Sequence, residues 1–248
     1  LLINFVAYTI PDENVVDTYT EDIAVEHNVY TSGAMYGPYK FHLGSEILGL
    51  QKGLTSMKVG GISRILFKSD LGHGSIGWGN LVKGYESMMY DIELLEVIDD
   101  VYEQELAMID AYLDTIDNVV EIYDADTDAT MYYIPDEIGT GAQIETDNEL
   151  EIFYTGKLLD GRQFDSNTGE NSGLDVTIGA ESVITGWELG LLKFNYGGSG
   201  RLLIPHQLAY GEDGNILTGS LKYSIPPYEA LLFSVSVEPE PVEEDEVE

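Results

Sequence analysis

The feature that most constrains the fold of this chain is a repeat within its own sequence. When the sequence is aligned with itself at an offset of 137, nine of 26 consecutive positions are identical. The matched positions are Gly49, Gly53, Leu54, Gly60, Gly61, Arg64, Leu66, Leu71 and Gly74, which fall on Gly186, Gly190, Leu191, Gly197, Gly198, Arg201, Leu203, Leu208 and Gly211. Such a repeat predicts two copies of one folding unit. The 248 residues are enough for two domains that each bury a core.

The two copies differ in the length of one loop. Tyr85-Glu86 matches Tyr228-Glu229 at an offset of 143, so the second copy has six extra residues between Gly211 and Ile225. From the limits of the repeat we predict a first domain, a linker, a second domain and a tail. Their predicted bounds are 1–98, 99–128, 129–238 and 239–248.

The linker and the C-terminal tail are strongly acidic. Residues 99–130 contain eleven Asp or Glu and no Lys or Arg. Apolar residues recur in this stretch at spacings of three and four, which places them on one helical face. They are Leu106, Ile109, Leu113, Ile116, Val120 and Tyr123. We predict an acidic amphipathic helix that docks on a neighbouring domain, and a disordered tail at 238–248, where eleven residues include seven acids and two prolines.

Each copy otherwise has the pattern of short strands with one short helix. Alternating or β-rich runs bounded by Gly, Pro, Asn or Asp predict strands in the second copy. These runs are 150–154, 174–178, 201–204 and 230–237. The helix of this copy is expected within 184–194. The pattern predicts an α+β fold in which an antiparallel sheet holds one helix on its concave face.

Charge and composition exclude several classes of function. The chain has 45 Asp and Glu against 11 Lys and Arg, a formal net charge of −34, so nucleic acid and anionic lipid would repel it. It contains no cysteine, and its four histidines have no ligand spacing. The acidic run at 124–128 has Ala129 and Pro135 where a calcium loop needs Gly and Glu. We therefore expect no metal, no cofactor, no nucleic-acid partner and no membrane insertion of this region.

The second copy carries a series of motifs in a fixed order. They are Tyr154-Thr155-Gly156-Lys157-Leu158-Leu159-Asp160-Gly161, Phe164-Asp165-Ser166, Gly179, Val183-Ile184-Thr185-Gly186-Trp187-Glu188, Gly197, Ile204-Pro205, Leu208-Ala209-Tyr210-Gly211, Ile225-Pro226-Pro227 and Leu232-Phe233. This series resembles the FKBP-type peptidyl-prolyl cis-trans isomerases over about residues 130–238. The resemblance implies a curved antiparallel sheet wrapped around a short helix, with an apolar pocket between them. The expected architecture is two FKBP-like domains joined by the acidic amphipathic helix.

The resemblance also implies which side chains form the site. Trp187 would form the pocket floor, the Ile184 amide and the Tyr210 hydroxyl would bind ligand carbonyls, and Asp165 would sit against Tyr154. The residues expected to act in catalysis are Tyr154, Phe164, Asp165, Ile184, Trp187, Tyr210 and Phe233. Those expected to bind substrate are Leu174, Val183 and Ile225. Leu174 stands where the family usually has an aromatic residue, and the loop at 212–224, which overhangs the pocket in the family, is longer than in its minimal domain.

Such a pocket needs no acid, base or nucleophile. Rotation about an X-Pro bond passes a barrier of about 18–20 kcal/mol set by amide resonance, and no bond is made or broken. The twisted amide is less dipolar than the planar one, so a water-excluding aromatic pocket favours it. The resemblance thus implies a peptidyl-prolyl isomerase acting on unfolded or flexible polypeptides. The alternative, from a different class, is a non-catalytic protein-binding or chaperone module.

The first copy lacks most of these side chains. In the repeat alignment Phe5 replaces Tyr154, Val16 replaces Phe164, Leu50 replaces Trp187, His73 replaces Tyr210 and Tyr90 replaces Phe233, while Asp17 keeps its counterpart Asp165. We predict a degenerate copy that kept the fold and lost the proline pocket. Its remaining role would be to dock a partner protein or a client.

A location in the bacterial cell envelope is implied by resemblance alone. Tandem domains with an acidic, cysteine-free sequence and the motifs Tyr132-Tyr133-Ile134 and Gly139-Thr140-Gly141 look like exported bacterial lipoproteins. The chain opens on Leu1-Leu2-Ile3-Asn4-Phe5, which resembles the middle of a strand and predicts a trimmed mature fragment. We expect the periplasm or the outer membrane.

Overall fold

The computed structural model describes residues 1–44, 47–220 and 222–240. The chain divides into two compact units, of which the first comprises Leu1–Asp100 and Ile216–Tyr223. The second comprises Val101–Asn215 and Ser224–Glu248. Ile216–Tyr223, called the 216–223 segment below, falls in the extra loop of the second copy but belongs to the first unit. Most of the predicted acidic tail, from residue 241 onward, lies outside the described residues.

The first unit is built on an antiparallel sheet, as the strand patterns predict. Its elements are β1 (Leu2–Ile10), β2 (Val15–Thr18), α1 (Glu21–Glu26), β3 (Tyr39–Lys40), α2 (Leu48–Leu54), β4 (Ile62–Phe67) and β5 (Ser87–Glu96). The strand order is β2-β1-β5-β4, and β3 pairs with β1. Alternate residues of β1 are buried, which is typical of a strand with one face on a core. From α2, Leu50 and Leu54 enter the same core.

The second unit has the same kind of sheet, preceded by the linker helix. Its elements are α3 (Val101–Leu113), β6 (Val120–Asp124), β7 (Ala129–Glu137), β8 (Glu149–Leu158), β9 (Gln163–Ser166), β10 (Leu174–Thr177), α4 (Thr185–Leu191), β11 (Ser199–Ile204) and, later in the chain, β14 (Leu231–Val237). The short paired strands β12 (Asn215–Ile216) and β13 (Tyr223–Ile225) lie at the two ends of the 216–223 segment, where the chain passes from one unit to the other. The strand order is β10-β8-β14-β11-β7-β6, with β9 paired to β8. The pairs are antiparallel, so the predicted α+β class is confirmed.

The repeat in the sequence is also a repeat in the backbone. Helices α2 and α4 correspond at the same offset as strands β4 and β11. Short 3₁₀ turns occupy Ser69–Leu71 in one unit and His206–Leu208 in the other. Just beyond these turns, Gly74 and Gly211 both have a φ of 63°, a left-handed conformation that glycine adopts without strain.

Close approach of helix to strand explains glycines that the two copies share. A Cβ atom at Gly49 in α2 would lie 2.2 Å from the ring of Phe67 in β4. The equivalent atom at Gly186 in α4 would lie 2.3 Å from the side chain of Ile204 in β11. Neither position has room for a side chain, so glycine sets the spacing between helix and sheet in each unit.

The linker helix ends earlier than its apolar pattern predicts. Helix α3 ends at Leu113, and two later members of the pattern, Val120 and Tyr123, lie in strand β6. Asn118 has a φ of 60°, a conformation that a right-handed helix cannot continue through. Strand β6 then pairs with β7. Side-chain spacing alone does not reveal that a polar turn and a sheet edge redirect the chain.

A buried acid–histidine pair joins α3 to the rest of the second unit. Glu105, which is 4% exposed, accepts a hydrogen bond from the His206 backbone N–H at 2.8 Å, and its other carboxylate oxygen lies 2.5 Å from the His206 Nδ1. One turn further along the helix, Ile109 packs in a buried cluster with Leu203 and Ala230. Leu106, which the apolar pattern assigns to the docked face, is instead 56% exposed. An acidic residue thus occupies the buried side of this helix.

We expect Glu105→Ala to destabilise the second unit by about 3 kcal/mol, because it leaves the His206 side chain and N–H buried without an acceptor. Glu105→Gln keeps an oxygen for the N–H and should cost less. Urea denaturation of the full chain measures both effects. Asp110→Ala, an exposed change in the same helix, should stay within about 0.5 kcal/mol of wild type. A Glu105→Ala effect no larger than this control would contradict the docking role.

Candidate functional site

Four aromatic side chains of the second unit, one of them the indole of Trp187, form a chain of ring contacts. Trp187 lies in α4 and is 3% exposed. Its ring centroid is 5.0 Å from that of Tyr154 and 5.2 Å from that of Phe233, both nearly edge-to-face. Phe164 contacts Phe233 in the same geometry, with a centroid distance of 5.5 Å. Edge-to-face contacts of this kind are favourable, so the rings hold one another in fixed orientations.

The strands place these rings over a glycine. Gly156 in β8 pairs with Phe233 in β14 and with Asp165 in β9. A Cβ atom at Gly156 would lie 2.6 Å from the ring of Phe164 and 2.9 Å from that of Phe233. The two phenylalanine rings therefore cover the backbone of β8. A glycine inside a strand often marks such a close approach.

One edge of the ring cluster is polar. The Tyr154 hydroxyl donates a hydrogen bond to the Asp165 carboxylate at 2.6 Å. Burial and this hydrogen bond raise the pKa of Tyr154 well above its usual value. Burial and the nearby Asp165 carboxylate likewise raise the pKa of Tyr210, whose hydroxyl donates to no described residue. Both phenols therefore remain protonated at neutral pH and keep their donors.

The loop that leads into α4 is fixed by the first turn of the helix. The Glu188 carboxylate accepts hydrogen bonds from the backbone N–H groups of Gly179 at 2.7 Å and Glu181 at 3.0 Å. Ile184 directly precedes the helix, and its carbonyl accepts from the Trp187 N–H at 2.9 Å. Within the described residues, the N–H of Ile184 itself has no acceptor. The Ile184 N–H is thus a backbone donor three residues before Trp187 that is available to a ligand.

The structure brings together five of the residues predicted from the sequence. Tyr154, Phe164, Trp187 and Phe233 share the ring contacts, and Asp165 joins them through Tyr154. Tyr210 follows the second 3₁₀ turn and is 36% exposed. The other four predicted residues lie outside the ring contacts. Leu174 begins β10 and is 38% exposed, whereas Ile225 ends β13 and is 3% exposed. Val183 and Ile184 precede α4 and are half-buried.

Sequence reasoning missed a residue that holds Tyr154 in place. The Asn167 side-chain oxygen accepts from the Tyr154 N–H at 2.7 Å, and its amide group donates to the Ile152 carbonyl at 2.9 Å. The Ser166 hydroxyl donates to the Tyr154 carbonyl at 3.0 Å. In the sequence, Ser166 and Asn167 look like ordinary turn residues after a strand. Their targets lie across the sheet, where local pattern gives no signal.

The equivalent positions of the first unit belong to its buried core. Phe5, Val16, Leu50 and Tyr90 are all members of that core. The ring of Phe5 lies 5.7 Å from that of Tyr90. His73, at the position of Tyr210, stacks on Trp78 with a centroid distance of 5.3 Å. At these positions the first unit therefore has the backbone arrangement of the second unit but different side chains.

The ring cluster and its hydrogen-bond donors indicate what kind of ligand the site could bind. It offers a compact apolar surface with phenol and backbone donors at its edge, on a sheet-and-helix scaffold. In the part of the chain that the structure describes, no group of three His, Asp or Glu side chains could hold a metal ion. Over the same residues, no helix is long and apolar enough to cross a membrane. The arrangement is suited to binding a small apolar group and to promoting a change in its conformation.

Comparison with known proteins gives the family. The family model described as FKBP-type peptidyl-prolyl cis-trans isomerase matches residues 10–95 and 141–238. The chain belongs to this family, and each of the two copies contains a match. The family indicated by the motifs of the second copy is therefore confirmed.

The similar proteins include bacterial and eukaryotic members. Peptidyl-prolyl cis-trans isomerase FKBP10 of Mus musculus is 28% identical over 193 residues, which are 78% of this chain and 28% of that protein. FKBP-type peptidyl-prolyl cis-trans isomerase FkpA of Buchnera aphidicola is 38% identical over 88 residues, 35% of this chain and 34% of that protein. The crystal structure of FkpA from Escherichia coli is 26% identical with a TM-score of 0.44, covering 57% of this chain and 62% of that one. The chain spans 28% of FKBP10.

We expect Tyr154→Phe to cost about 0.5–1.5 kcal/mol of unfolding free energy, because it removes the hydroxyl that binds Asp165. A double-mutant cycle with Asp165→Asn should give a coupling energy of similar size. Tyr154 has a raised pKa in the folded state, so from neutral pH the cost should stay constant up to about pH 10 and fall above it, where the tyrosine ionises in the unfolded chain first.

Urea denaturation at several pH values measures these effects. Tyr210→Phe is the matched control, because its hydroxyl donates to no described residue, and it should change stability by less than about 0.5 kcal/mol. Additive effects of the Tyr154 and Asp165 substitutions would show that the two side chains are not coupled.

Proposed function

We propose that the second unit catalyses the cis-trans isomerisation of X-Pro bonds in unfolded or flexible polypeptides. The observation that carries the proposal is the set of aromatic rings around Trp187, edged by the Tyr154–Asp165 hydrogen bond. Membership of the isomerase family supports it. The ring cluster contains no nucleophile, and the reaction requires none, since it makes and breaks no bond.

The rings would act by favouring the twisted amide. A proline ring is compact and apolar, so it fits against an indole edged by phenylalanine and tyrosine rings. Amide resonance, and with it the amide dipole, is lost as the C–N bond rotates. A site that excludes water therefore binds the twisted state better than the planar state. Each 1.4 kcal/mol of that preference is worth about tenfold in rate.

The polar groups at the edge would orient the peptide. In this proposal the Ile184 N–H and the Tyr210 hydroxyl donate to the carbonyls that flank proline. Asp165 fixes the rotation of the Tyr154 hydroxyl and so keeps that ring against the indole. Leu174, Val183 and Ile225 are proposed to contact the residues on either side of proline. The residue preferred before proline would depend on this outer set.

The cellular location of the protein and the role of its first unit are also proposals. Similarity to FkpA supports a bacterial protein, and we propose the cell envelope, with a lipoprotein anchor, as its location. A chaperone-like role for the first unit, as a docking site for a client or partner protein, belongs to the same proposal.

We expect the full chain to accelerate isomerisation of a proline tetrapeptide in a protease-coupled assay. Trp187→Ala should lower kcat/KM at least about tenfold, since it removes the surface that the proline ring contacts. Trp78→Ala removes the other tryptophan of the chain, which lies in the first unit, and should leave kcat/KM within about twofold of wild type.

A second pair of variants separates chemistry from misfolding. Tyr210→Phe removes one donor and keeps the ring, and Asp165→Val removes the acceptor of the Tyr154 hydroxyl. Each should lower kcat/KM by about three- to tenfold with the circular dichroism spectrum unchanged. If wild type is no faster than Trp187→Ala and Asp165→Val, the second unit is a non-catalytic binding module. The exposed Leu174, at a position usually aromatic in the family, is the observation that favours this second candidate.

A further inference from the structure

A buried lysine of the first unit has an unusual set of partners. Lys222, in the 216–223 segment, is 7% exposed. Its ammonium group donates to the Asp17 carboxylate and to the Thr18 carbonyl, the latter at 2.6 Å. The same nitrogen lies 3.9 Å from the centroid of the Tyr19 ring. Burying an ammonium group is costly unless it is paired, and here three groups of different kinds surround it.

The residue after this lysine is held equally closely. The Tyr223 carbonyl accepts a hydrogen bond from the Met35 N–H at 2.7 Å. The Tyr223 backbone N–H donates a hydrogen bond to the Tyr19 hydroxyl oxygen. The Tyr223 ring lies 6.4 Å from that of Tyr39 and packs against the core of the first unit. Backbone and side-chain contacts together thus hold a Lys-Tyr pair within this unit.

In the first unit, this set of contacts lies at the position that corresponds to the polar edge of the ring cluster in the second unit. Asp17 pairs with Ala7 across β1 and β2, just as Asp165 pairs with Gly156 across β8 and β9. In the second unit the carboxylate accepts from the Tyr154 hydroxyl. The corresponding residue of the first unit is phenylalanine, which has no hydroxyl to donate. The Lys222 ammonium supplies a donor to Asp17 instead.

We propose that the first unit contains a lysine-recognition site formed by Asp17, Thr18 and Tyr19, and that the 216–223 segment is its resident ligand. The chemical class recognised is a primary ammonium on an extended peptide, followed by an aromatic residue. An ammonium is a compact charge with three donors, which matches a carboxylate, a carbonyl and an aromatic face. The site is independent of isomerase activity in the second unit.

Acetylation of lysines by a soluble N-hydroxysuccinimide ester, read by mass spectrometry, tests the site in the full chain. Lys222 should react at least about tenfold more slowly than the exposed Lys58 and Lys83, because its nitrogen is accessible only when the segment opens. Asp17→Asn should bring the rate for Lys222 to within about threefold of those lysines. Asp165→Asn, the matched change in the second unit, should leave Lys222 protected.

Binding of a free peptide tests recognition separately from burial. The probe is a fluorescein-labelled peptide with the sequence of residues 215–224, added to the full chain carrying Lys222→Ala and Tyr223→Ala. It should bind this variant at least about tenfold more tightly than wild type, in which the tethered segment competes at millimolar effective concentration. A peptide with norleucine in place of lysine should lose at least about tenfold in affinity.

Several results would overturn the proposal. Fast acetylation of Lys222 in wild type would show that the ammonium is not held, and protection that persists in a folded Asp17→Asn variant would show that Asp17 does not hold it. Equal binding of the lysine and norleucine peptides would exclude ammonium recognition. An unlabelled X-Pro peptide that displaces the probe as well as the unlabelled lysine peptide does would show that the first unit has kept a proline site.

Discussion

The close packing of one short helix against a sheet is the constraint on which both units depend. In each, glycine is the residue that lets the helix backbone approach the strand, with Phe67 or Ile204 in the space that a side chain would need. That distance determines what the next helical residue can touch. In the second unit the next residue is Trp187, and the short separation brings its indole into the rings of β8 and β14. The candidate site thus depends on the short distance between helix and sheet as much as on its aromatic side chains.

The two units carry different contacts at equivalent strand positions of one scaffold. Asp17 and Asp165 occupy equivalent strand positions. Where the neighbouring strand carries tyrosine, the carboxylate accepts a hydrogen bond from a phenol. Where it carries Phe5, the carboxylate is satisfied by an ammonium group. The Tyr154 hydroxyl and the Lys222 ammonium are thus alternative donors to equivalent carboxylates, and the proposed ligands differ accordingly, a proline ring in one unit and a lysine side chain in the other.

Much of the fold and the centre of the candidate site could be predicted from the sequence, because they depend on local pattern and on repetition. The repeat aligned α2 with α4 and β4 with β11, and the motif series placed Trp187 beside Tyr154 and Phe233. What could not be predicted depends on contacts between residues far apart in the chain. Glu105 looks like one acid among many in an acidic helix, and only its distance to His206 distinguishes it. The residues after α3 likewise leave the helical pattern because they form β6, which pairs with β7, and periodicity does not register that pairing.

Because the 216–223 segment belongs to the first unit, the order in which the chain is synthesised determines when the contacts of that unit can form. Asp17 and Lys222 are separated by 205 positions. As the chain leaves the ribosome from its N-terminus, the strands of the first unit emerge first, and Lys222 emerges only after α3 and strands β6–β11 of the second unit have been made. Domains generally fold as they emerge, the N-terminal one first. The contact between Asp17 and Lys222 can therefore form only after most of the second unit has been synthesised, later than the strands of the first unit can begin to pair.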